Sequence, residues 1–243
     1  MIKLDITMTA TLRPEIISKT LNSIKTHIVG KDVEPRLIVN IDPIGEQIRQ
    51  KDILKVIEKN FSNVIYNFPK EPSFAKAVRW VWQQSESDFI FHIEDDWIFS
   101  KKILVSNMIN ILNKYRELSS LRLCKYRIPN CDVFKMFDSK WRYNNDGFYV
   151  SDDWRRQFGL NPILIRRKFL DEVLPRMVDN VNPEKQFRES QEYMRDIIKK
   201  WKYAIYAQPG WSAVAIDIGR RWEGKKLYSK PKVGTFLTWV KNE

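Results

Sequence analysis

Three consecutive carboxylates, Glu94, Asp95 and Asp96, lie between the apolar run 89–93 and the apolar triplet 97–99. Keeping three like charges together against apolar flanks is costly unless a cation compensates for them. Oxygen-only ligands favour Mg²⁺ or Mn²⁺, which bind through one or two carboxylates together with substrate phosphates. Such an ion could neutralise charge that develops on a diphosphate leaving group. The alternative interpretation is a solvated acidic turn or the start of a helix, where carboxylates are also favoured.

Strand and helix patterns alternate before this acidic cluster. The predicted strands are Ile2–Met8, Arg36–Ile41, Asn63–Asn67 and Asp88–Ile93, and the predicted helices are Glu15–Thr26, Glu46–Asn60 and Ser73–Ser85. This order is typical of a parallel sheet with helices on its faces, where ligands bind beyond the carboxyl ends of the strands. A loop at Thr9–Pro14, a turn at Asp42–Gly45 and the acidic cluster are therefore expected to converge. The sequence contains no GxGxxG and no GxxxxGK[ST] motif, which weakens the dehydrogenase and P-loop interpretations.

The second half of the chain has a less regular pattern. Its predicted strands are Leu121–Tyr126, Pro162–Ile165 and Tyr203–Ala207, and its predicted helices are Lys101–Arg116, Lys168–Met177 and Pro183–Trp201. The segment Pro129–Gly159 is rich in aromatic residues without a clear period, which indicates a long ordered loop or a small hairpin. The tail after Gly219 is basic and aromatic without clean periodicity.

With these features, the chain resembles the GT-A class of glycosyltransferases from Lys3 to about Glu223, because their DXD motif, often written EDD, ends a buried strand. The resemblance implies a single α/β domain over 1–243, with a Rossmann-like, mostly parallel sheet flanked by helices and an irregular acceptor-side region. It implies that residues 1–126 bind a nucleotide-sugar, such as a UDP-sugar, and that 127–243 bind the acceptor. It also implies Mn²⁺ or Mg²⁺ as the cofactor.

The resemblance assigns donor-binding roles to several residues in the first half. The opening strand and loop, with Thr9 and Arg13, resemble the part that binds the donor. Asp42 matches the acid that contacts the base or the ribose. Lys76 or Arg79 could face the donor from the next helix, although a solvated helix face is an equal alternative.

The metal ligands implied by the resemblance come from both ends of the chain. Glu94 and Asp96 correspond to the outer members of DXD, and Asp96 is expected to be the direct ligand. Glu94 and Asp95 are also expected to contact the donor. A His-Ile-Gly segment often supplies a late ligand in this class, and here Asp217 takes the place of the histidine. The alternative for Asp217 is a turn-forming role.

An inverting transfer needs a carboxylate to take the proton of the acceptor hydroxyl. In GT-A enzymes this acid commonly starts the helix before a late strand, and the segment from Arg188 to Trp201 is similar to that unit. Glu189 and Glu192 are i,i+3 neighbours that would share one face of such a helix. Asp153, beside Asp152, is another candidate. Each of these carboxylates could instead be a surface charge, and a retaining mechanism would need no base in this role.

The net charge of +12, from 42 Lys and Arg against 30 Asp and Glu, indicates an anionic partner or compositional drift. Basic and aromatic residues cluster in the acceptor half, in the segments 140–143, 154–156 and 220–222. Basic residues can hold phosphates, and aromatic rings can stack on an extruded base. We therefore expect the acceptor to be DNA with hydroxymethylated pyrimidines, as for small phage-type DNA-base glycosyltransferases. The residues expected to bind DNA are Arg155, Arg156, Arg220 and Arg221.

Three other function classes stay open on the sequence. A transferase of surface polysaccharide or lipid-linked glycan could rest its basic face on an anionic membrane. A non-catalytic nucleic-acid-binding domain leaves the acidic cluster unexplained. A nucleotidyltransferase would also place a carboxylate pair on an α/β sheet. The scarcity of histidine, with only His27 and His92, argues against a zinc hydrolase.

The length of 243 residues allows one well-buried core and is short for two ordinary domains. The two cysteines, Cys124 and Cys131, match no zinc spacing and no redox pair, so we expect structural roles for them. The N-terminal segment lacks the continuous apolar core of a signal peptide. No window approaches the roughly 18–20 apolar residues of a membrane span. These features predict a cytoplasmic protein.

Overall fold

The computed structural model describes residues 1–45, 49–154, 158–188 and 190–219, together with four two-residue strands near the C-terminus. The strands are β1 (Ile2–Leu12), β2 (Val33–Gly45), β3 (Val64–Asn67), β4 (Phe89–Glu94), β5 (Trp97–Phe99), β6 (Leu118–Leu123), β7 (Val133–Met136), β8 (Ser139–Asn144), β9 (Phe148–Ser151), β10 (Ile163–Arg166), β11 (Lys202–Tyr206), β12 (Ala215–Asp217), β13 (Tyr228–Ser229), β14 (Lys232–Val233), β15 (Phe236–Leu237) and β16 (Val240–Lys241).

The helices are α1 (Pro14–His27), α2 (Gln50–Asn60), α3 (Phe74–Gln83), α4 (Val105–Lys114), α5 (Arg167–Val173), α6 (Pro183–Gln186) and α7 (Arg195–Lys200), with 3₁₀ turns at Leu174–Arg176 and Glu192–Met194. None of the helices within these described ranges has both the length and the apolar character to cross a membrane.

The central sheet has ten strands in the order β3-β2-β1-β4-β10-β6-β11-β9-β8-β7. The first four are parallel, as the alternating patterns predict. β10 runs antiparallel to both β4 and β6, so β6 points in the same direction as β4. β11 is parallel to β6, and β9, β8 and β7 continue as an antiparallel meander. The predicted α/β class with helix-flanked strands is confirmed. The half of the sheet from β10 to β7 contains both parallel and antiparallel strands.

Helices cover both faces of this sheet and bury its apolar side chains. Ile17 and Leu21 of α1 and Met108 of α4 pack in the cluster on one face. Trp82 of α3 and Phe169 of α5 pack in the cluster on the other face. The nearly continuous burial of β1 after Lys3 explains why this strand reads as a central element. The carboxyl ends of β1, β2, β4 and β6 consequently meet at one edge of the sheet, which we call the carboxyl edge.

The structure corrects several boundaries. Thr9–Leu12 continues β1, and Asp42–Gly45 continues β2, because these two segments pair with each other instead of forming a loop and a turn. The segment expected to be a loop or small hairpin contains the meander β7–β9. Trp141 of β8 is the register partner of Ser151 in β9, and its side chain is buried within the core.

The predicted long helix Pro183–Trp201 is wrong. It is divided into α6, a 3₁₀ turn and α7. Gln186 is fully buried, and its side-chain amide donates to the backbone carbonyls of Val178 and Val181 at 2.8 and 2.9 Å. Phe187 stacks on Phe158 with ring centroids 4.2 Å apart. These tertiary contacts bend the chain away from a continuous helix despite its helical pattern.

Asp5 joins three elements at the edge of the sheet opposite to the carboxyl edge. Its carboxylate is 2% exposed and accepts two bonds from the Arg36 guanidinium, at 2.7 and 2.9 Å. The backbone amides of Glu86 and Ser87 donate to it at 2.5 and 2.9 Å. Burial acts to raise the pKa of Asp5, but these hydrogen bonds outweigh it and hold the pKa below its usual value.

We expect Asp5→Asn to lower the free energy of unfolding by about 2–4 kcal/mol at pH 7, because a paired, buried carboxylate is lost. Since the folded pKa is lowered, this stabilisation is complete above the ordinary Asp pKa of about 3.9 and is lost as pH falls through the folded pKa. Urea unfolding at pH 7 and pH 3 measures the difference. Glu86→Gln is the control, because Glu86 pairs with the same arginine but is 79% exposed. An equal difference at both pH values would contradict the assignment.

Candidate functional site

The acidic cluster lies at the carboxyl edge, directly beside the end of β1. Thr9 of β1 is the register partner of Glu94 at the end of β4. The amide of Asp95 then donates to the carbonyl of Thr9 at 3.0 Å, which extends the strand pairing by one residue. Only Arg13 separates the end of β1 from Pro14, the first residue of α1. The side chain of Arg13 contacts the acidic cluster.

Asp95 is the buried member of the cluster, with 2% exposure. Its carboxylate forms an ion pair with Arg13 through both Nε and Nη2, and it accepts the amide of Thr11 at 3.0 Å. The hydroxyl of Thr20 in α1 donates to the carbonyl of Asp95 at 2.6 Å. Asp95 thus ties β1, α1 and the end of β4 together through groups of the chain itself.

Asp96 points toward the late segment of the chain. The antiparallel pairing of β5 with β12 places Asp217 opposite Trp97, and the amide of Ile218 donates to the Asp96 carbonyl at 2.8 Å. A Cβ on Gly219 would lie 2.0 Å from Asp96 Oδ2, so only glycine allows this close approach. Two carboxylates that are distant in sequence, Asp96 and Asp217, are therefore brought to one place.

The electrostatics of this place favour a cation. Burial, and then the charges of Asp95 and Asp217, raise the pKa of Asp96 to about 6, although Arg13 Nη2 lies 3.3 Å from Asp96 Oδ2. Burial acts to lower the pKa of Arg13, but the carboxylates of Asp95 and Asp96 outweigh it and raise that pKa. Arg13 therefore keeps its charge and neutralises Asp95 first. The negative charges of Asp96 and Asp217 repel each other, and a bound divalent ion would relieve that repulsion.

The described residues contain no group of three or more His, Cys, Asp or Glu side chains arranged to hold a metal ion by themselves. Asp96 and Asp217 fit Mg²⁺ or Mn²⁺ as a pair of hard oxygen ligands. Such ions commonly complete their coordination with water and with the phosphates of a substrate. The residues present therefore suit a metal that binds together with a phosphorylated ligand.

A row of polar side chains lies beside this pair, across the ends of β1, β2 and β3. The Asn67 amide donates to Asn40 Oδ1 at 2.7 Å, and the Asn40 amide donates to Asp42 Oδ1 at 2.8 Å. The backbone amide of Ser73, the N-cap of α3, donates to Asp42 Oδ2 at 3.1 Å. The hydroxyl of Thr9, next to Asn40 in register, is buried without a hydrogen-bond partner in the described structure. This row can offer hydrogen bonds to a polar ring or sugar.

The sequence interpretation included Asp42 and Thr9 but missed Asn40 and Asn67. A polar amide at the end of each apolar strand pattern, RLIVNI and NVIYN, was the available signal. Of the two expected α3 residues, Lys76 is exposed. Arg79 pairs with Asp179, with Nη1 and Oδ1 3.2 Å apart.

The candidate base Glu192 does not lie on a long helix. Glu192 lies in a 3₁₀ turn, with an 85% exposed side chain 3.6 Å from Arg195. The expected i,i+3 relation between Glu189 and Glu192 stays a prediction, because Glu189 lies outside the described residues. The amide of Asp153 donates to Ser151 Oγ at 3.1 Å, at the end of β9.

The four arginines expected to bind DNA, Arg155, Arg156, Arg220 and Arg221, lie outside the described residues. In the described cluster 140–143, Lys140 and Arg142 are exposed on β8, whereas Trp141 is 1% exposed. Trp141 is therefore not exposed for stacking on a base, because alternate side chains of a strand point to opposite faces and Trp141 faces the core.

No protein-family model matches the sequence, and no curated protein sequence matches it. Solved structures nevertheless share the architecture. Staphylococcus aureus TarS 1–349 in complex with UDP-GlcNAc aligns with a TM-score of 0.57 and 14% identity, over 96% of this chain and 60% of that chain. The mannosyltransferase PcManGT from Pyrobaculum calidifontis, in complex with GDP-Man and Mn²⁺, aligns with a TM-score of 0.58 and 10% identity, over 96% and 58%. A longer S. aureus TarS structure aligns at 0.56 and 14%, over 89% and 36%.

These alignments confirm the GT-A fold expected from the sequence. At these low sequence identities, the alignments establish similarity of fold and do not establish the roles of individual side chains. The chain spans about three-fifths of the two proteins with bound nucleotide-sugars and 36% of the longer TarS chain.

Substitutions of the two neighbouring aspartates should have different effects on the free energy of unfolding. We expect Asp95→Asn to lower the free energy of unfolding by about 3–5 kcal/mol, because buried Arg13 loses its charged partner. Asp96→Asn should leave it unchanged or raise it at pH 7, because the fold disfavours the ionised form of Asp96. Urea unfolding of both variants without divalent ions measures the contrast. Equal destabilisation by the two substitutions would contradict the division between a structural and an accessible carboxylate.

Proposed function

We propose that the chain is a metal-dependent glycosyltransferase that moves a sugar from a UDP-sugar to a hydroxyl acceptor. The observation that carries the proposal is the approach of Asp217 and Gly219 to Asp96 at the carboxyl edge of a GT-A sheet. Proteins of this fold bind UDP-GlcNAc, or GDP-Man with Mn²⁺, in the structures compared above.

The donor nucleotide would lie over the polar row of Asn67, Asn40 and Asp42, with the Thr9 hydroxyl available to it. Asp96 and Asp217 would hold the ion, with Glu94 two residues before Asp96 in the sequence, and Arg13 would keep Asp95 neutralised. When bound, a divalent ion supplies positive charge for the diphosphate leaving group. Glu192, Glu189 and Asp153 stay as candidates for the base of an inverting transfer, which Glu192→Gln and Asp153→Asn would test one at a time.

Asp96→Ala and Gly219→Ala should each reduce Mn²⁺-dependent turnover of UDP-sugars by at least about 10²-fold, because the first removes a ligand and the second displaces it. UDP release from a panel of UDP-sugars, with and without EDTA, is the measurement. Asp146→Ala is the matched control, since Asp146 is an exposed carboxylate that pairs with Lys114. An active Asp96→Ala protein, or wild-type turnover that EDTA leaves intact, would contradict the proposal.

We further propose that the acceptor is a hydroxymethylpyrimidine in DNA. The net charge of +12 and the exposed basic side chains of Lys140 and Arg142 support a polyanionic acceptor. A transferase of surface or lipid-linked glycan, resting peripherally on an anionic membrane, is the alternative that the same charge allows.

Labelled UDP-sugar supplied with hydroxymethylated and unmodified DNA in parallel should label only the modified DNA. DNA affinity should fall with salt, with a log–log slope of about −0.9 per phosphate neutralised. The double variants Arg155→Ala/Arg156→Ala and Arg220→Ala/Arg221→Ala should weaken DNA binding and leave UDP-sugar binding intact. Absence of label in modified DNA across several donors, together with binding to anionic vesicles, would favour the glycan alternative.

A further inference from the structure

Arg122 is a buried cation that the mechanism above does not use. It lies in β6, its residue is 9% exposed, and its Nη2 is buried with no hydrogen-bond acceptor in the described structure. Burial lowers the pKa of Arg122 to about 10. A buried guanidinium normally has a carboxylate or carbonyl partner, because an unpaired charge is costly to desolvate.

Glu184 is the carboxylate whose charge acts on Arg122, where it partly offsets the effect of burial on the pKa. Both side chains approach Gly159, since a Cβ there would lie 3.4 Å from Arg122 Nη1 and from Glu184 Oε1. Glu184 Oε1 accepts the backbone amide of Leu160 at 2.7 Å. The face of the Trp141 ring lies 5.1 Å from the Arg122 guanidinium, which holds it in place without supplying a negative charge.

Arg122 is one of the residues that line a small pocket, and Lys125 is a second basic residue of the lining. Lys125 is partly exposed at this pocket, and its Nζ donates to Asn161 Oδ1 at 3.0 Å. Tyr126, Phe134 and Met136 form other parts of the lining. The cavity of about 10 Å³ accommodates one group the size of a water molecule. A single oxygen atom of a larger anion could therefore enter it while the rest of the ligand stays outside.

The pocket lies on the side of the site away from the polar row. β6 is separated from β4 by β10, whereas β1, β2 and β3 lie beyond β4 in the other direction. The carbonyl of Cys124, just after β6, accepts the amides of Val214 and Ala215 at 2.8 and 3.0 Å. β12 starts at Ala215 and ends at Asp217, so one short strand connects this pocket to the Asp96–Asp217 pair.

We propose that Arg122 and Lys125, which both line the pocket, form a phosphate subsite in which one phosphate oxygen enters the pocket and is held by the charges of these two side chains. The assignment of this phosphate to the acceptor rests on the proposed function, whereas phosphate binding itself does not. The two cations and the opening at the mouth suit a tetrahedral oxyanion that is attached to a larger molecule.

Isothermal titration with inorganic phosphate, at constant ionic strength adjusted with chloride, tests the subsite. We expect Arg122→Met to weaken phosphate binding by about 10–100-fold, as charge-assisted hydrogen bonds are lost. Lys125→Met should weaken it less, because Lys125 is partly exposed. Arg127→Met is the matched control, since Arg127 is an exposed arginine of the same segment, and it should leave binding unchanged.

Two further ligands identify the chemical group. Dimethyl phosphate binding as well as inorganic phosphate would assign a phosphodiester, and binding of inorganic phosphate alone would assign a terminal phosphate. Acetate binding as tightly as phosphate would overturn the phosphate assignment. Arg122→Met should fold, because it removes a buried charge without a hydrogen-bond partner; if it does not, Lys125→Met, at a partly exposed position, still tests the subsite.

Unchanged phosphate affinity in both Arg122→Met and Lys125→Met, or no phosphate binding by the unmodified chain, would overturn the subsite. The proposed function fails separately, if the unmodified chain shows no metal-dependent turnover of any UDP-sugar. Loss of phosphate binding in Arg122→Met alongside such a failure would leave the subsite standing and remove only its assignment to an acceptor.

Discussion

The buried ion pair between Arg13 and Asp95 is the interaction on which the geometry of the carboxyl edge depends. It connects the end of β1 to the residue that follows β4, and Thr20 of α1 holds the backbone of the same aspartate. Arg13 neutralises the charge of Asp95. The next residue, Asp96, lies instead beside Ile218 and Gly219. A run of three carboxylates is thus divided by the fold into members with different surroundings.

That division explains how a like-charged cluster is tolerated in a partly buried place. Arg13 forms a close ion pair with Asp95, whereas its Nη2 lies 3.3 Å from Asp96 Oδ2. Asp217, in β12, adds another negative charge near Asp96. Burial, together with the charges of Asp95 and Asp217, raises the pKa of Asp96, and the excess negative charge creates a preference for a cation. Gly219 permits this arrangement because any side chain there would collide with Asp96.

The order of the strands separates two chemically different regions at the same edge. The parallel strands β3, β2 and β1 present amide, hydroxyl and carboxylate groups on one side of β4. The mixed part of the sheet, beyond β10, presents the buried cation Arg122 and the partly exposed Lys125 on the other side. Under the proposed function and the proposed subsite, a polar ring and an anionic group would bind at opposite ends of the site, with the carboxylate pair between them.

The sequence by itself determined the α/β class and the parallel first half, because apolar spacing reports local strand and helix periods. It also singled out Asp96, since consecutive charges after a buried strand are conspicuous, whereas Asp217 was implied only by the resemblance to the GT-A class. Only the tertiary structure decided that β5 pairs with β12, that Pro183–Trp201 is bent around buried Gln186, and that Arg122 Nη2 finds no acceptor among the described residues. These features depend on contacts between residues that are distant in sequence, and a local pattern contains no information about such contacts.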